Sequence, residues 1–304
     1  MIYLALSILC GILVAVIFRM FENQKINLHV IITFNYISAL IVSLIIVVYK
    51  NMFNLISLSS LHNFMNEYNI IFRSTGILSI EASAGWAIIT GTLFGPIFCF
   101  SFFQYQKNIS ISGMGIASTF MKISVVIPMI ISMLFWKEYP SLMQSAGIIL
   151  CIISILIFNL DFENIRHFKL NKNLILLIIL GGLAQFTAKV YQKYGSVDCR
   201  DILTLFIFLS SFITSLILLL RHKSYICAKD VIIGLTLGIP NLFNTTFLVL
   251  ALSYIDTSIA YMLSSLISII IILIIGLFFF KEKIYKKDIL GLIIALVSIY
   301  FINN

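Results

Sequence analysis

Charge is what this sequence has least of. Only 11% of its 304 residues are Asp, Glu, Lys or Arg, against 61% hydrophobic. A soluble globular domain carries about 25% charge, so a chain this dry is read as an integral membrane protein. Acids are nearly missing from the apolar stretches: Glu81 and Asp256 stand at segment ends, and Glu138 and Glu282 sit beside lysines at boundaries. A proton-coupled exporter of cationic drugs is expected to hold a carboxylate near the midplane, and none is present there. Catalytic signatures are missing too. There is no HExxH and no GxSxG, and His29, His62, His167 and His222 all fall at boundaries or in loops. An intramembrane enzyme acting on a lipid-linked substrate needs a nucleophile–base pair, paired carboxylates or metal ligands. The reading is therefore not an enzyme, and no cofactor or metal is called for. The five cysteines form no CxxC pair; Cys10, Cys99 and Cys151 lie in apolar spans, Cys199 and Cys227 in loops, with no sign that they pair. No basic region precedes Ile2 and no small-residue cleavage site follows it, so a first span is expected there rather than a removable leader. No soluble domain or tail of the kind a signalling protein needs is expected, since the last apolar run ends two residues before Asn304. The net charge of +8 does not point to nucleic acid, because the cations are scattered over short connections.

What is present is a series of ten apolar segments: 2–18, 30–49, 84–105, 113–136, 142–160, 173–192, 202–220, 231–252, 257–280 and 288–302. Most are long enough to cross a hydrocarbon core about 30 Å thick as a helix; the first, fifth and tenth are near the short limit. The connections are short and polar except 50–83, which is partly amphipathic around LHNFMNEYNIIF. It reads equally as an interfacial segment or a solvated loop. Most Lys and Arg in connections follow odd-numbered segments, among them Arg166, Lys169, Arg221 and Lys286; Lys50, Arg73, Lys137, Lys193 and Arg200 follow even-numbered ones. Positive-inside counting then places both termini outside the cytoplasm.

The chain repeats itself. Sliding it by 144 residues lays Pro96 on Pro240, Ile123-Ser124 on Ile267-Ser268, Lys137-Glu138 on Lys281-Glu282, Gly147 on Gly291 and Ser154-Ile155 on Ser298-Ile299. A slide of about 170 brings Gly11 onto Gly181 and Arg19 onto Lys189. The halves are thus 1–160 and 161–304, five segments each. Five is odd, so the second half enters the membrane inverted, an arrangement typical of secondary transporters that bind substrate at the repeat interface. The expected fold is all-α: ten transmembrane helices in two inverted five-helix repeats.

With its duplicated five-helix unit, its fourth and ninth segments ending FWKE and FFKE, and Gly147 and Gly291 following, the chain resembles the drug/metabolite transporter superfamily, specifically its EamA-like and RhaT-like ten-span members. The resemblance covers nearly the whole chain. It departs from the family pattern in having Lys-Glu where Gly-Glu is common, and Ile272 where Pro128 would repeat. The resemblance implies a multi-pass transporter of the cell membrane, here the cytoplasmic membrane of a bacterium. It more often implies cytosolic termini, against the positive-inside count.

Polar residues inside the spans are few enough to weigh singly. Lys122 lies deep in the fourth segment, where a lysine costs about 2.5–3.5 kcal/mol to insert and so faces a bundle interior or wet cavity. Pro128 removes the helical partner of the Ser124 carbonyl just beyond it; Pro96 and Pro240 are further candidate breaks. Lys189, with Gln185 one turn before it, and Arg19 are the other candidate cations. Asn35 and Tyr36 in the second segment, and Asn241 and Asn244 on one face of the eighth, complete the candidate substrate-binding set. Buried cations without buried acids point to an anionic or zwitterionic small molecule. Membrane lipid and a coupling ion are the other partners expected, with the chain a monomer or homodimer.

Overall fold

A computed structural model describes residues 1–21, 26–73, 76–112, 114–159, 172–222, 225–279 and 286–303, all helix or connection without a strand among the described residues. The helices are α1 (Ile2–Phe21), α2 (Leu28–Tyr49), α3 (Leu58–Glu67), α4 (Asn69–Arg73), α5 (Ile80–Ser112), α6 (Met114–Ile123), α7 (Val126–Trp136), α8 (Leu142–Asn159), α9 (Lys172–Tyr194), α10 (Arg200–Arg221), α11 (Ala228–Leu252), α12 (Thr257–Phe279) and α13 (Lys286–Asn303). Long apolar runs become helices because lipid offers the backbone no hydrogen bonds, so each N–H and C=O must be satisfied within its own segment. Among the described residues, seven helices are long and apolar enough to cross a membrane, and Phe120–Trp136 and Leu142–Ile157 are shorter apolar stretches. The chain is a multi-pass membrane protein.

Its helices gather into two compact units, which are not the two sequence halves: one is Met1–Phe103 with Leu183–Tyr254, the other Gln104–Gly182 with Ile255–Asn304. Each unit draws helices from both halves.

In the first unit α2 packs on α10 and α11, and α1 on α11. Small residues set these approaches. A Cβ on Gly95 of α5 would overlap Ser210 Oγ of α10, and one on Gly238 of α11 would overlap the Asn35 carbonyl of α2. Hydroxyls then reach across: Ser211 donates to Gly95 O at 2.7 Å, Ser210 to Gly91 O at 3.0 Å, and Ser38 to Leu235 O at 2.9 Å. Such small-residue seams with Ser bonds are the usual means of helix association where lipid removes any hydrophobic drive between helices. The core behind them is Ile32, Tyr36, Ala39, Cys99, Phe208 and Leu242. Lys50 closes one end of the α2–α10 pair on Asp201 at 2.6 Å.

The described residues of the 50–83 connection include the short helices α3 and α4. Ser57 caps α3, accepting from Ser60 N. Phe64 stacks on Trp86 of α5 at 5.3 Å, and Glu67 accepts from both Ser79 N (2.9 Å) and Ser79 Oγ (2.7 Å). Asn63 also donates to Glu81. Leu58 and Met65 of α3 are exposed.

In the second unit α8 packs on α13, α12 and α6, and α12 on α13 and α7. The α8–α13 contact is reciprocal: Ser154 donates to Gly291 O at 2.9 Å, and Ser298 donates to Gly147 O at 2.7 Å. Ser141 and Gln144 form a capping box at the start of α8, each side chain bonding the other's backbone N–H at 3.0–3.1 Å. Glu138 accepts from Thr257, the first residue of α12, at 3.0 Å. The matching Lys281-Glu282 lies outside the described residues.

Lys137 ends α7 with φ 55°, in the left-handed region. That conformation costs an L-residue about 1–2 kcal/mol and a glycine almost nothing. This gives a physical reason for the glycine that the family pattern favours here. Lys137→Gly is expected to stabilise the protein by about 1 kcal/mol, read as a raised midpoint of thermal unfolding in detergent.

Candidate functional site

The fourth segment is interrupted where its sequence departs from a regular helix. α6 ends at Ile123, Ser124 and Val125 form a turn, and α7 resumes at Val126, with Pro128 in its first turn. Proline has no N–H for the Ser124 carbonyl. Ile127 N donates to it instead at 3.0 Å, and Ser124 Oγ turns back to Met121 O at 2.5 Å. The opposing surface is a glycine pair on α9. A Cβ on Gly181 would come within 2.9 Å of Met121 Sδ and Ser124 Oγ, and one on Gly182 within 2.8 Å of the Ser124 carbonyl. Without side chains at 181 and 182, the broken turn can lie directly on α9.

Lys122 immediately precedes this turn. Its side chain is partly buried, Cys151 of α8 lies beside it, and it has no hydrogen-bond or ion-pair partner among the described residues. An ammonium here has its full donor capacity available.

The other candidates belong to the first unit. Lys189 is 4% exposed, so it does not reach out to headgroups as its place near the end of α9 would allow; its Nζ lies 3.5 Å from Gln192 Oε1. Gln185 and Arg19 are half-buried on α9 and α1. Asn35 is 1% exposed; its Oδ1 accepts from Asn241 Nδ2 at 3.3 Å, while its own Nδ2 is buried without a partner. Asn244 turns to a different helix: Ser7 of α1 donates to its carbonyl at 3.1 Å and to Oδ1 at 3.4 Å, and Gly11 leaves room for its amide. The structure therefore brings Asn35 and Asn241 together and gives Asn244 to the α1–α11 seam.

Tyr36 is corrected. It points into the core with Phe208 and Phe102, ring centroids 6.2 and 6.5 Å away, and is 1% exposed. Adjacent positions on a helix face about 100° apart, so the polar neighbour Asn35 gave no information about Tyr36. α5 and α11 run through Pro96 and Pro240 as continuous helix. One proline removes one helical bond, and the close seams at Gly95 and Gly238 adjoin both positions.

Sequence reasoning missed the amides that end α5. From the sequence alone, Gln104, Tyr105 and Gln106 close the third segment and read as an interfacial anchor. The helix instead continues to Ser112, with Gln106 5% and Asn108 0% exposed. Asn108 Nδ2 donates to Gln104 O (2.8 Å) and Asn173 O (3.1 Å), leaving Oδ1 buried without a partner. Three amides at alternate positions, 104, 106 and 108, were the available signal.

Residues 172–304 match the EamA-like transporter family, consistent with the drug/metabolite transporter superfamily. That family is one of membrane transporters. No curated protein matches the chain. A protein known from its crystal structure superposes with a TM-score of 0.67 over 99% of this chain and 95% of its own, at 11% identity. At that identity the likeness concerns the fold alone.

Proposed function

We propose that this protein is a secondary transporter which moves a small anionic or zwitterionic metabolite across a bacterial cytoplasmic membrane by alternating access. In this reading ten spans form two inverted five-helix repeats. One observation carries it. Residues paired by the 144-residue slide, Gly147 with Gly291 and Ser154 with Ser298, make the same bond in both directions between α8 and α13. Reciprocal contacts of this kind are what a two-fold axis generates. An axis relating two five-span halves supports inverted repeats and with them transport.

The charge pattern supports the substrate class. Lys122 is available and Lys189 is buried, whereas the buried acids Asp201 and Asp230 sit at helix starts and are engaged by Lys50 and by Asn27 N. Lys122 in the second unit, and Lys189 and Arg19 in the first, are each proposed as a cation for an anionic group, and Asn35, Asn241, Asn244 and Gln185 of the first unit as donors and acceptors for polar groups.

Ligand-dependent thermal stabilisation of the purified protein tests this. A ligand at 100 times its Kd adds about 2.7 kcal/mol, so a panel of anionic, zwitterionic and cationic metabolites should yield a saturable shift from the first two classes. A shift from cationic amphiphiles alone would replace this reading with that of a drug exporter.

A further inference from the structure

At the end of the α2–α10 pair opposite Lys50–Asp201, two histidines meet. His29 begins α2 and His222 follows α10; their rings stack at 4.4 Å between centroids, 28° apart, and Phe103 of α5 lies 4.8 Å from the His29 ring. His222 is exposed, His29 half-buried, and His29 Nδ1 is buried with no hydrogen-bond partner. The same corner is tied down by Asn27, the N-cap of α2, whose N–H donates to Asp230 at 3.2 Å and whose Nδ2 donates to Tyr225 O at 3.3 Å.

We propose that His29 and His222 form a proton-binding site that sets how tightly this end of the α2–α10 pair is closed. Two neutral imidazoles stack without electrostatic cost, but two imidazolium ions at this separation repel. A charged imidazole also has two N–H donors. On His29 the second would fall on the buried Nδ1 and must find water, which requires the corner to loosen.

The surrounding charges do not cancel this. The Asp230 carboxylate of α11 at this corner already accepts from Asn27 N. The remaining charged groups at this end, among the described residues of the adjoining elements in this unit, are basic: Arg221 beside His222, Lys229 on α11 and Arg19 on the last turn of α1. Glu22, Lys25 and Lys223 lie outside the described residues. The corner is closed while His29 is neutral and opens when both rings are charged.

Hydrogen–deuterium exchange of the full chain in nanodiscs tests this at about pH 7.5 and about pH 5.5, either side of the ordinary histidine range. Labelling times are scaled to the intrinsic exchange rate. Peptides over residues 26–33 and 218–227 should exchange several-fold faster in acid, and His222→Phe, which stacks but does not charge, should abolish the increase. His62→Phe, on the exposed face of α3, should keep it. His222→Gln, which neither stacks nor charges, should exchange fast at both pH values. No acid-induced increase in the natural chain, or an increase that survives His222→Phe, overturns the proposal.

Discussion

Lys122→Met is expected to abolish uptake of the substrate into proteoliposomes while leaving the yield of folded protein unchanged or slightly improved. Methionine keeps the length and apolarity of the lysine stem and removes the charge, whose insertion costs about 2.5–3.5 kcal/mol. Since Lys122 has no hydrogen-bond or ion-pair partner among the described residues, its loss leaves no partner orphaned. Lys122→Arg should retain part of the activity, because charge persists while the donor geometry changes. A lysine kept only for packing predicts the reverse, with uptake intact in whatever protein folds. Uptake at matched protein content separates the two.

Gly95→Leu and Gly238→Leu are expected to have the second largest effect, and on folding rather than transport. The Cβ at either position meets a neighbouring helix directly, Ser210 of α10 in one case and Asn35 of α2 in the other. Backbone cannot yield as a flexible side chain can. Forcing a leucine into either seam should cost about 3 kcal/mol and sever the Ser211–Gly95 bond or the Asn35–Asn241 bond. Monodisperse protein recovered from detergent should fall sharply for both. Gly76→Leu, where nothing lies within 4 Å of the Cβ, is the control and should be recovered normally.

These two results draw on different kinds of legibility. Helix positions follow from apolar run length, and the observed helices overlap the expected segments because lipid leaves the backbone no other choice. The interruption at Ser124–Val125 lies where Pro128 removes a donor, a local effect that neighbouring residues reveal. Tyr36, the end of α5 and the His29–His222 stack were not legible. Each depends on which helix lies opposite, and an apolar chain carries the same isoleucines on lipid-facing and helix-facing sides. Hydropathy therefore marks the span without marking its neighbour. The composition of the two compact units was hidden for the same reason. Helices far apart in sequence, such as α2 and α11, are joined by small residues and single hydroxyls that leave almost no trace in composition. Gly147, Gly291, Ser154 and Ser298 are the exception, because the internal repeat had already matched them before their bonds were known.

The central claim is that the halves of the chain are inverted relative to each other, and topology tests it most directly. A compartment-sensitive reporter inserted between residues 165 and 166 can be compared with the same reporter fused after Asn304, in an otherwise full-length chain. Five spans separate the two positions if the repeats are inverted, so the reporters should register opposite sides of the membrane. The inserted one should be cytoplasmic, beside Arg166, Lys169 and Lys172. Two reporters on the same side would contradict inversion and with it the case for alternating access.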